Sequence, residues 1–183
     1  MRIVLTVIFI LIVTKSGAGY KLSALFIFIV ASLTDYWDGR LARQRHLITG
    51  FGTLFDPIAD KFLMLSAFFI FMQMHFIEAW MFMVIAAREI IVTVWRLMMM
   101  RQKKILAAES LGKYKTVTQI ICVCFILLFM IVQESRLMEA AAIIEAWSYS
   151  IFTVMILTVV LTLISGVSFF WNNRGVYVCK YDR

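Results

Sequence analysis

Long apolar stretches separated by short polar segments dominate this chain. The five longer stretches lie at 22–33, 62–77, 79–100, 116–132 and 146–171. A helix that crosses a bilayer needs about 20 mostly apolar residues, and most of these stretches approach that length once their flanks are included. The pattern therefore predicts six transmembrane helices, at about 1–13, 20–42, 52–77, 79–100, 114–132 and 144–171.

The first apolar stretch, 3–13, is too short to span a bilayer alone. A positive residue before it and small residues after it loosely resemble a secretory signal, but Lys15 interrupts the small-residue region. We favour a first membrane helix that is either extended by its flanks or shortened at its start.

Composition supports a membrane protein. The chain is 63% hydrophobic and 16% charged, whereas soluble domains carry about 25% charged residues. Its 183 residues suffice for a single membrane-embedded domain over 1–183. The fold class expected is all-α, an integral six-helix bundle.

The distribution of cations predicts the topology. Loops at 40–50, 101–115 and 172–183 carry eleven Lys or Arg, whereas loops at 14–21, 74–78 and 133–145 carry three. By the positive-inside rule, both termini are cytoplasmic, and we expect a multi-pass protein of the cytoplasmic (inner) membrane. The net charge of +7 favours contact with anionic membrane lipids or substrates, and no nucleic acid partner is expected.

Four of the five aspartates fall within 26 residues, on the cytoplasmic ends of the second and third predicted helices. They form the pattern Asp35-x-x-Asp38-Gly39-x-x-Ala42-Arg43-x8-Gly52-x3-Asp56-x3-Asp60. Spacings of three and four place each aspartate pair on one helix face. Carboxylates are costly near a bilayer, so this cluster indicates either an interfacial ion-pair network or a functional site.

Oxygen-only ligands suit magnesium, manganese or calcium rather than zinc. Two such ions would bridge the oxygens of a diphosphate and assist displacement at phosphorus. Arg43 is placed to contact the same phosphates, and an aspartate not fully occupied by metal can take a proton from an attacking hydroxyl.

The whole pattern resembles the signature of the CDP-alcohol phosphotransferase family, whose six-helix core has a site that faces the cytoplasm. The resemblance implies release of CMP from a CDP-linked lipid by an alcohol, with Mg²⁺ or Mn²⁺, two ions in all. It also implies a homodimer. By the resemblance, the metal ligands are Asp35, Asp38, Asp56 and Asp60, with Asp60 also the catalytic base, and the CDP-lipid site is lined by Gly39, Ala42, Arg43 and Gly52.

Three further segments, 56–61, 87–90 and 112–116, are similar to those of bacterial phosphatidylglycerophosphate synthases within this family. The resemblance implies CDP-diacylglycerol and glycerol 3-phosphate as substrates. A phosphate-bearing acceptor needs cations, and the candidates are Arg88, Arg96, Lys113 and Lys115. Arg88 can instead pair with Glu89, and the two lysines can be topology anchors. Arg96 lies within an apolar stretch and is the better candidate for a phosphate contact.

Several alternatives stay open from the sequence. A cardiolipin-synthase-like enzyme would differ only in its acceptor. A divalent-cation transporter would place acidic groups near the midplane and would not need Gly39, Ala42 and Arg43 at fixed offsets. A scaffold protein would leave the aspartate spacing unexplained. One departure from the family concerns the N-terminal part of the substrate site. Related synthases usually begin with an amphipathic element before the first helix, and here Arg2 would be the last residue of that element.

Overall fold

The computed structural model describes residues 2–45, 52–101, 111–135 and 141–174. Within these ranges every regular element is an α-helix, which confirms the all-α prediction. The helices are α1 (Arg2–Val13), α2 (Ala18–Arg45), α3 (Gly52–Gln73), α4 (Ala79–Arg101), α5 (Leu111–Glu134) and α6 (Ala141–Asn172). Side chains are described for 3–34, 61–99, 112, 114–135 and 143–174.

α3 ends four residues before the predicted position, because His75 turns the chain there. His75 has a φ of 61°, in the left-handed region that ends many helices. The N–H of Phe76 donates to the carbonyl of Phe71 at 2.9 Å, and the N–H of His75 donates to Met72 at 3.1 Å. These two bonds form a Schellman motif, with histidine where glycine is usual.

α1, α2, α3 and α5 enclose the apolar core. α2 and α3 both pack on α1 and on α5, while α4 packs on α3 and α6, and α6 also packs on α5. Large fully buried side chains fill the space between them: Phe9, Phe28, Phe68, Phe71, Val123, Ile126, Leu127 and Met155. α2 and α3 thus share α1 and α5 as neighbours.

The outer surface of the bundle is apolar. Phe26, Met83 and Val167 are each about two-thirds exposed (68%, 65% and 67%), and similar side chains occur on every helix. Soluble proteins rarely leave so much contiguous apolar surface in water. Together with the apolar helices, this surface identifies a membrane protein.

Two of the described helical segments are long and apolar enough to cross a bilayer, Tyr114–Glu134 and Ile143–Asn172. Ile3–Val13, Ala18–Thr34 and Lys61–Gln73 are shorter apolar segments. In α2, α3 and α4 charged residues interrupt the apolar stretch. The aspartates lie in the second half of α2 and the first half of α3, and Arg88 and Glu89 lie in the middle of α4. The interruptions coincide with the residues that the sequence singled out for chemistry.

Candidate functional site

The aspartate motif lies on α2 and α3, as the spacing predicted. Asp35 and Asp38 belong to α2, and Asp56 and Asp60 to α3. Because the backbone is helical through both segments, each aspartate pair occupies successive turns of one helix. The side chains of the motif, including those of Gly39, Ala42, Arg43 and Gly52, lie outside the described residues.

Helix geometry still sets how far apart the two aspartate pairs can be. At 1.5 Å per residue, Asp35 and Asp38 lie about 15 and 10 Å before the end of α2, and Asp56 and Asp60 about 6 and 12 Å after the start of α3. Six residues join the two helices, so the helix ends are within about 25 Å of each other. The donor set is four carboxylates without histidine or cysteine, which fits a hard divalent cation.

A second polar cluster is described in full, and it begins one residue after Asp60. The Glu89 carboxylate of α4 contacts three cations, the side chains of Lys61, Arg88 and Lys115. Lys61 Nζ lies 3.3 Å from Glu89 Oε2, and Arg88 Nη1 lies 3.5 Å from Oε1. Lys115 donates a hydrogen bond to Oε1. We call these four residues the Glu89 cluster.

The Glu89 cluster is buried. The side chains of Glu89 and Lys115 are each 3% exposed and that of Arg88 is 10%, while Lys61 is 25% exposed. Gln119, one turn after Lys115 on α5, donates from Nε2 to Glu89 Oε1 at 3.4 Å. Among the described side chains, three cations from α3, α4 and α5 meet this one carboxylate, and Lys61 directly follows Asp60.

Arg88 is fixed from the other side by α6. Its Nη2 donates to Ser165 Oγ at 2.7 Å, and its aliphatic stem lies against Gly166. A Cβ added at Gly166 would be 3.2 Å from Arg88 Cγ and 3.5 Å from Arg88 Nε. The absence of a side chain at Gly166 therefore leaves room for Arg88 between α4 and α6, where it contacts both Ser165 and Glu89.

The structure does not bring all of the acceptor candidates together. It joins Arg88 and Lys115, but Arg96 is exposed, and its guanidinium lies 5.7 Å from the ring centroid of Phe169. Arg96 follows Arg88 by eight residues, which is about 12 Å along α4. The side chain of Lys113 lies outside the described residues.

A cavity of about 300 Å³ opens at the other end of the bundle. Its lining comes from the start of α2 and the ends of α3 and α5: Lys21, Met74, Phe76, Met130, Gln133 and Glu134. Lys21 is buried there and donates to the carbonyl of Val13 at 2.6 Å. Lys21 precedes Asp35 by 14 residues of α2, about 21 Å, so the cavity is separate from the candidate site.

Among the residues whose side chains are described, no three His, Cys, Asp or Glu lie together as a cation site. The four aspartates are outside that set, so the finding concerns the rest of the bundle. It agrees with the Glu89 cluster, which has one carboxylate and three cations and would repel a metal ion.

Sequence reasoning missed the roles of Lys61, Gln119, Ser165 and Gly166. A usable signal was present in two helices. Lys115 and Gln119 are four residues apart on the buried face of α5, and Glu89 lies on the stripe of α4 that also carries Met81, Ile85 and Val92. Polar residues at core positions of different helices are expected to meet, since a buried polar group requires a partner.

Comparison with known proteins gives one consistent result. A profile of the CDP-alcohol phosphatidyltransferase family matches residues 1–171. The CDP-diacylglycerol–glycerol-3-phosphate 3-phosphatidyltransferase of Bacillus subtilis is 45% identical over 107 residues, which are 58% of this chain and 55% of that protein. The match thus spans little more than half the length of that relative.

The match covers a larger share of two other bacterial proteins with the same name. The protein of Rickettsia typhi is 34% identical over 125 residues, 68% of this chain and 70% of its own length. That of Escherichia coli is 31% identical over 156 residues, 80% of this chain and 85% of its own length. Because the profile covers almost all of the chain, this protein belongs to the CDP-alcohol phosphatidyltransferase family.

Proposed function

We propose that the protein transfers the phosphatidyl group of CDP-diacylglycerol to glycerol 3-phosphate, giving phosphatidylglycerophosphate and CMP. The names of the relatives support this reaction. The observation that carries the choice of acceptor is the Glu89 cluster, which brings three cations together, one of them at the residue after Asp60.

The cations of the Glu89 cluster suit a phosphate monoester. Such a group carries about −1.5 to −2 at neutral pH and accepts charge-assisted hydrogen bonds from lysine and arginine side chains. A neutral alcohol would make no ionic contact with these side chains. Arg88, Lys115 and Lys61 are therefore the cations that we assign to the acceptor phosphate, with Arg96 and Lys113 as outlying contributors.

The aspartates would hold the metal. Enzymes of this family use divalent metal ions, and we propose two ions, Mg²⁺ or Mn²⁺, with Asp35, Asp38, Asp56 and Asp60 as ligands. When bound, such ions would offset the charge of the diphosphate. The fit rests on the four carboxylate donors and on their placement in successive turns of α2 and α3.

The remaining motif residues would bind the nucleotide-lipid. Gly39 and Gly52 lack side chains and permit close approach of the CDP group to the helices, with Ala42 as a small neighbour. Arg43 would donate charge-assisted hydrogen bonds to the diphosphate.

Asp60 would act as the base. It takes the proton from a hydroxyl of glycerol 3-phosphate, the hydroxyl oxygen forms a bond to the phosphorus that carries the lipid, and the bond from that phosphorus to CMP breaks. CMP leaves with the electron pair of the broken bond. Lys61, which pairs with Glu89, would hold the acceptor phosphate near this base.

The proposed setting is the cytoplasmic (inner) membrane, with six transmembrane helices in one domain over 1–183 and both termini in the cytoplasm. The cation-rich loops support this orientation. Glycerol 3-phosphate is water-soluble, and CDP-diacylglycerol lies in the bilayer, so a site at the cytoplasmic interface would meet both. The family resemblance further supports a homodimer.

Purified protein in CDP-diacylglycerol micelles should release CMP only when glycerol 3-phosphate and Mg²⁺ or Mn²⁺ are both present. Chromatographic measurement of CMP, with lipid analysis of the product, checks this. Phosphatidylglycerol or a neutral alcohol offered alone should give no product. If another alcohol reacts and glycerol 3-phosphate does not, the acceptor is wrong. If none reacts and liposomes carrying the protein take up divalent cations, transport replaces transfer.

The change Asp60→Asn should abolish turnover and largely preserve binding of CDP-diacylglycerol, because it removes the base and leaves an oxygen ligand in place. Loss of a general base costs about 10² to 10⁴ in rate. CMP release gives the rate, and direct binding of labelled CDP-diacylglycerol gives the affinity. Parallel loss of turnover and binding would contradict a role as base.

Lys115→Gln should raise the KM for glycerol 3-phosphate about tenfold or more, because a hydrogen bond to a charged group contributes about 1.5–3 kcal/mol. Arg96→Gln is the matched comparison and should change that KM less, because Arg96 is exposed and apart from the Glu89 cluster. Steady-state kinetics with each substrate varied in turn distinguish the two. A larger rise in this KM for Arg96→Gln would indicate that the acceptor phosphate binds nearer the end of α4.

Gly166→Ala should raise the KM for glycerol 3-phosphate severalfold, because a Cβ 3.2 Å from Arg88 Cγ would displace Arg88 by a few tenths of an ångström. The control is Gly19→Ala, where no atom lies within 4 Å of the added carbon. The KM for CDP-diacylglycerol should stay near the wild-type value in both variants. Equal kinetics for the two alanine variants would show that Gly166 does not set the position of Arg88.

A further inference from the structure

Glu89 is the common contact of cations from three helices. Lys61 comes from α3, Arg88 from α4 itself and Lys115 from α5, and all three side chains approach the same carboxylate. Gln119 of α5 adds a neutral hydrogen bond. Through Arg88 and Ser165 the contacts extend to α6. Four of the six described helices are therefore joined at one acidic side chain.

The neighbours of Glu89 limit what it can do. Its Oε1 accepts hydrogen bonds from Lys115 and Gln119, Lys61 Nζ lies 3.3 Å from Oε2, and the residue is 3% exposed. As an anion, it would also repel the diphosphate and the acceptor phosphate. Direct contact with either substrate is therefore disfavoured, and any effect of Glu89 on the reaction passes through the cations around it.

We infer that Glu89 is a positioning residue, which holds Lys61 and Lys115 at the spacing that binds the phosphate of the acceptor. Without this carboxylate, three buried cations would repel one another and separate. The inference rests on the proposed function, because it concerns the acceptor site of that reaction. It adds a role for an acidic side chain that touches neither metal nor substrate.

The same contact bears on the catalytic base. Lys61 follows Asp60 directly, so the two Cα atoms are about 3.8 Å apart. An ion pair from Lys61 to α4 resists rotation of α3 about its own axis, and that rotation would carry Asp56 and Asp60 with it. Glu89 thus couples the position of the acceptor phosphate to the position of the base.

The test compares Glu89→Gln with wild type. A positioning role predicts that the KM for glycerol 3-phosphate rises, by about 10²-fold if the cations move by about 1 Å. A purely electrostatic role predicts the opposite sign, because removal of an anion beside three cations strengthens phosphate binding and lowers that KM. The KM for CDP-diacylglycerol should change little.

Two matched variants accompany it. Glu89→Asp keeps the charge and should recover part of the glycerol 3-phosphate affinity. Glu78→Gln, the same change at an exposed position just before α4, should leave both KM values at wild type. A merely structural role would instead move both KM values of Glu89→Gln together, and this result would overturn the inference.

If Glu89→Gln does not fold, the pair Lys61→Gln with Glu89→Gln removes one charge of each sign and keeps the net charge of the chain at the wild-type value. The pair should fold, and its KM for glycerol 3-phosphate should exceed that of Lys61→Gln alone, because Lys115 is no longer held by Glu89. A KM equal to that of Lys61→Gln alone would overturn the inference. Failure of the wild-type protein to use glycerol 3-phosphate is a different outcome, since it contradicts the proposed function itself.

Discussion

The ion pairs around Glu89 are the interaction on which the described helix arrangement depends. A single buried carboxylate meets Lys61, Arg88 and Lys115 from three helices. Breaking a buried ion pair by removing one partner costs about 3–5 kcal/mol, because the other charge is left uncompensated. None of these cations can therefore move far without the others, and α3, α4 and α5 are held in register where the aspartate motif ends.

The two ends of the bundle use charge differently. At one end, Lys21 is buried but donates to the carbonyl of Val13 at the end of α1, a position where a cation is favoured by the helix dipole. Glu134 accepts from the N–H of Gly17 nearby. These contacts close the turn between α1 and α2. Nearer the aspartate motif, the Glu89 cluster instead brings three cations to one buried carboxylate.

The need to place charged residues on helices within the membrane explains why the helices differ in hydropathy. α5 and α6 contain the long apolar segments and serve mainly as packing surfaces. α2, α3 and α4 carry the charged residues that interrupt their apolar stretches, and these helices supply most of the candidate site. A membrane enzyme that acts on phosphates must accept this cost, because metal ligands and phosphate-binding cations have to reach the substrate from helices within the membrane.

The sequence by itself determined the helical architecture and the aspartate motif. The first depends on long apolar stretches and the second on fixed local spacing, and both are properties of consecutive residues. The tertiary structure alone decided which cations meet. Lys61, Glu89 and Lys115 are far apart in sequence, and only the packing of α3, α4 and α5 brings them to one carboxylate. The sequence favoured Arg96 over Arg88 as the phosphate contact, yet Arg96 is exposed, since a side chain's partners depend on which face of its helix another helix covers.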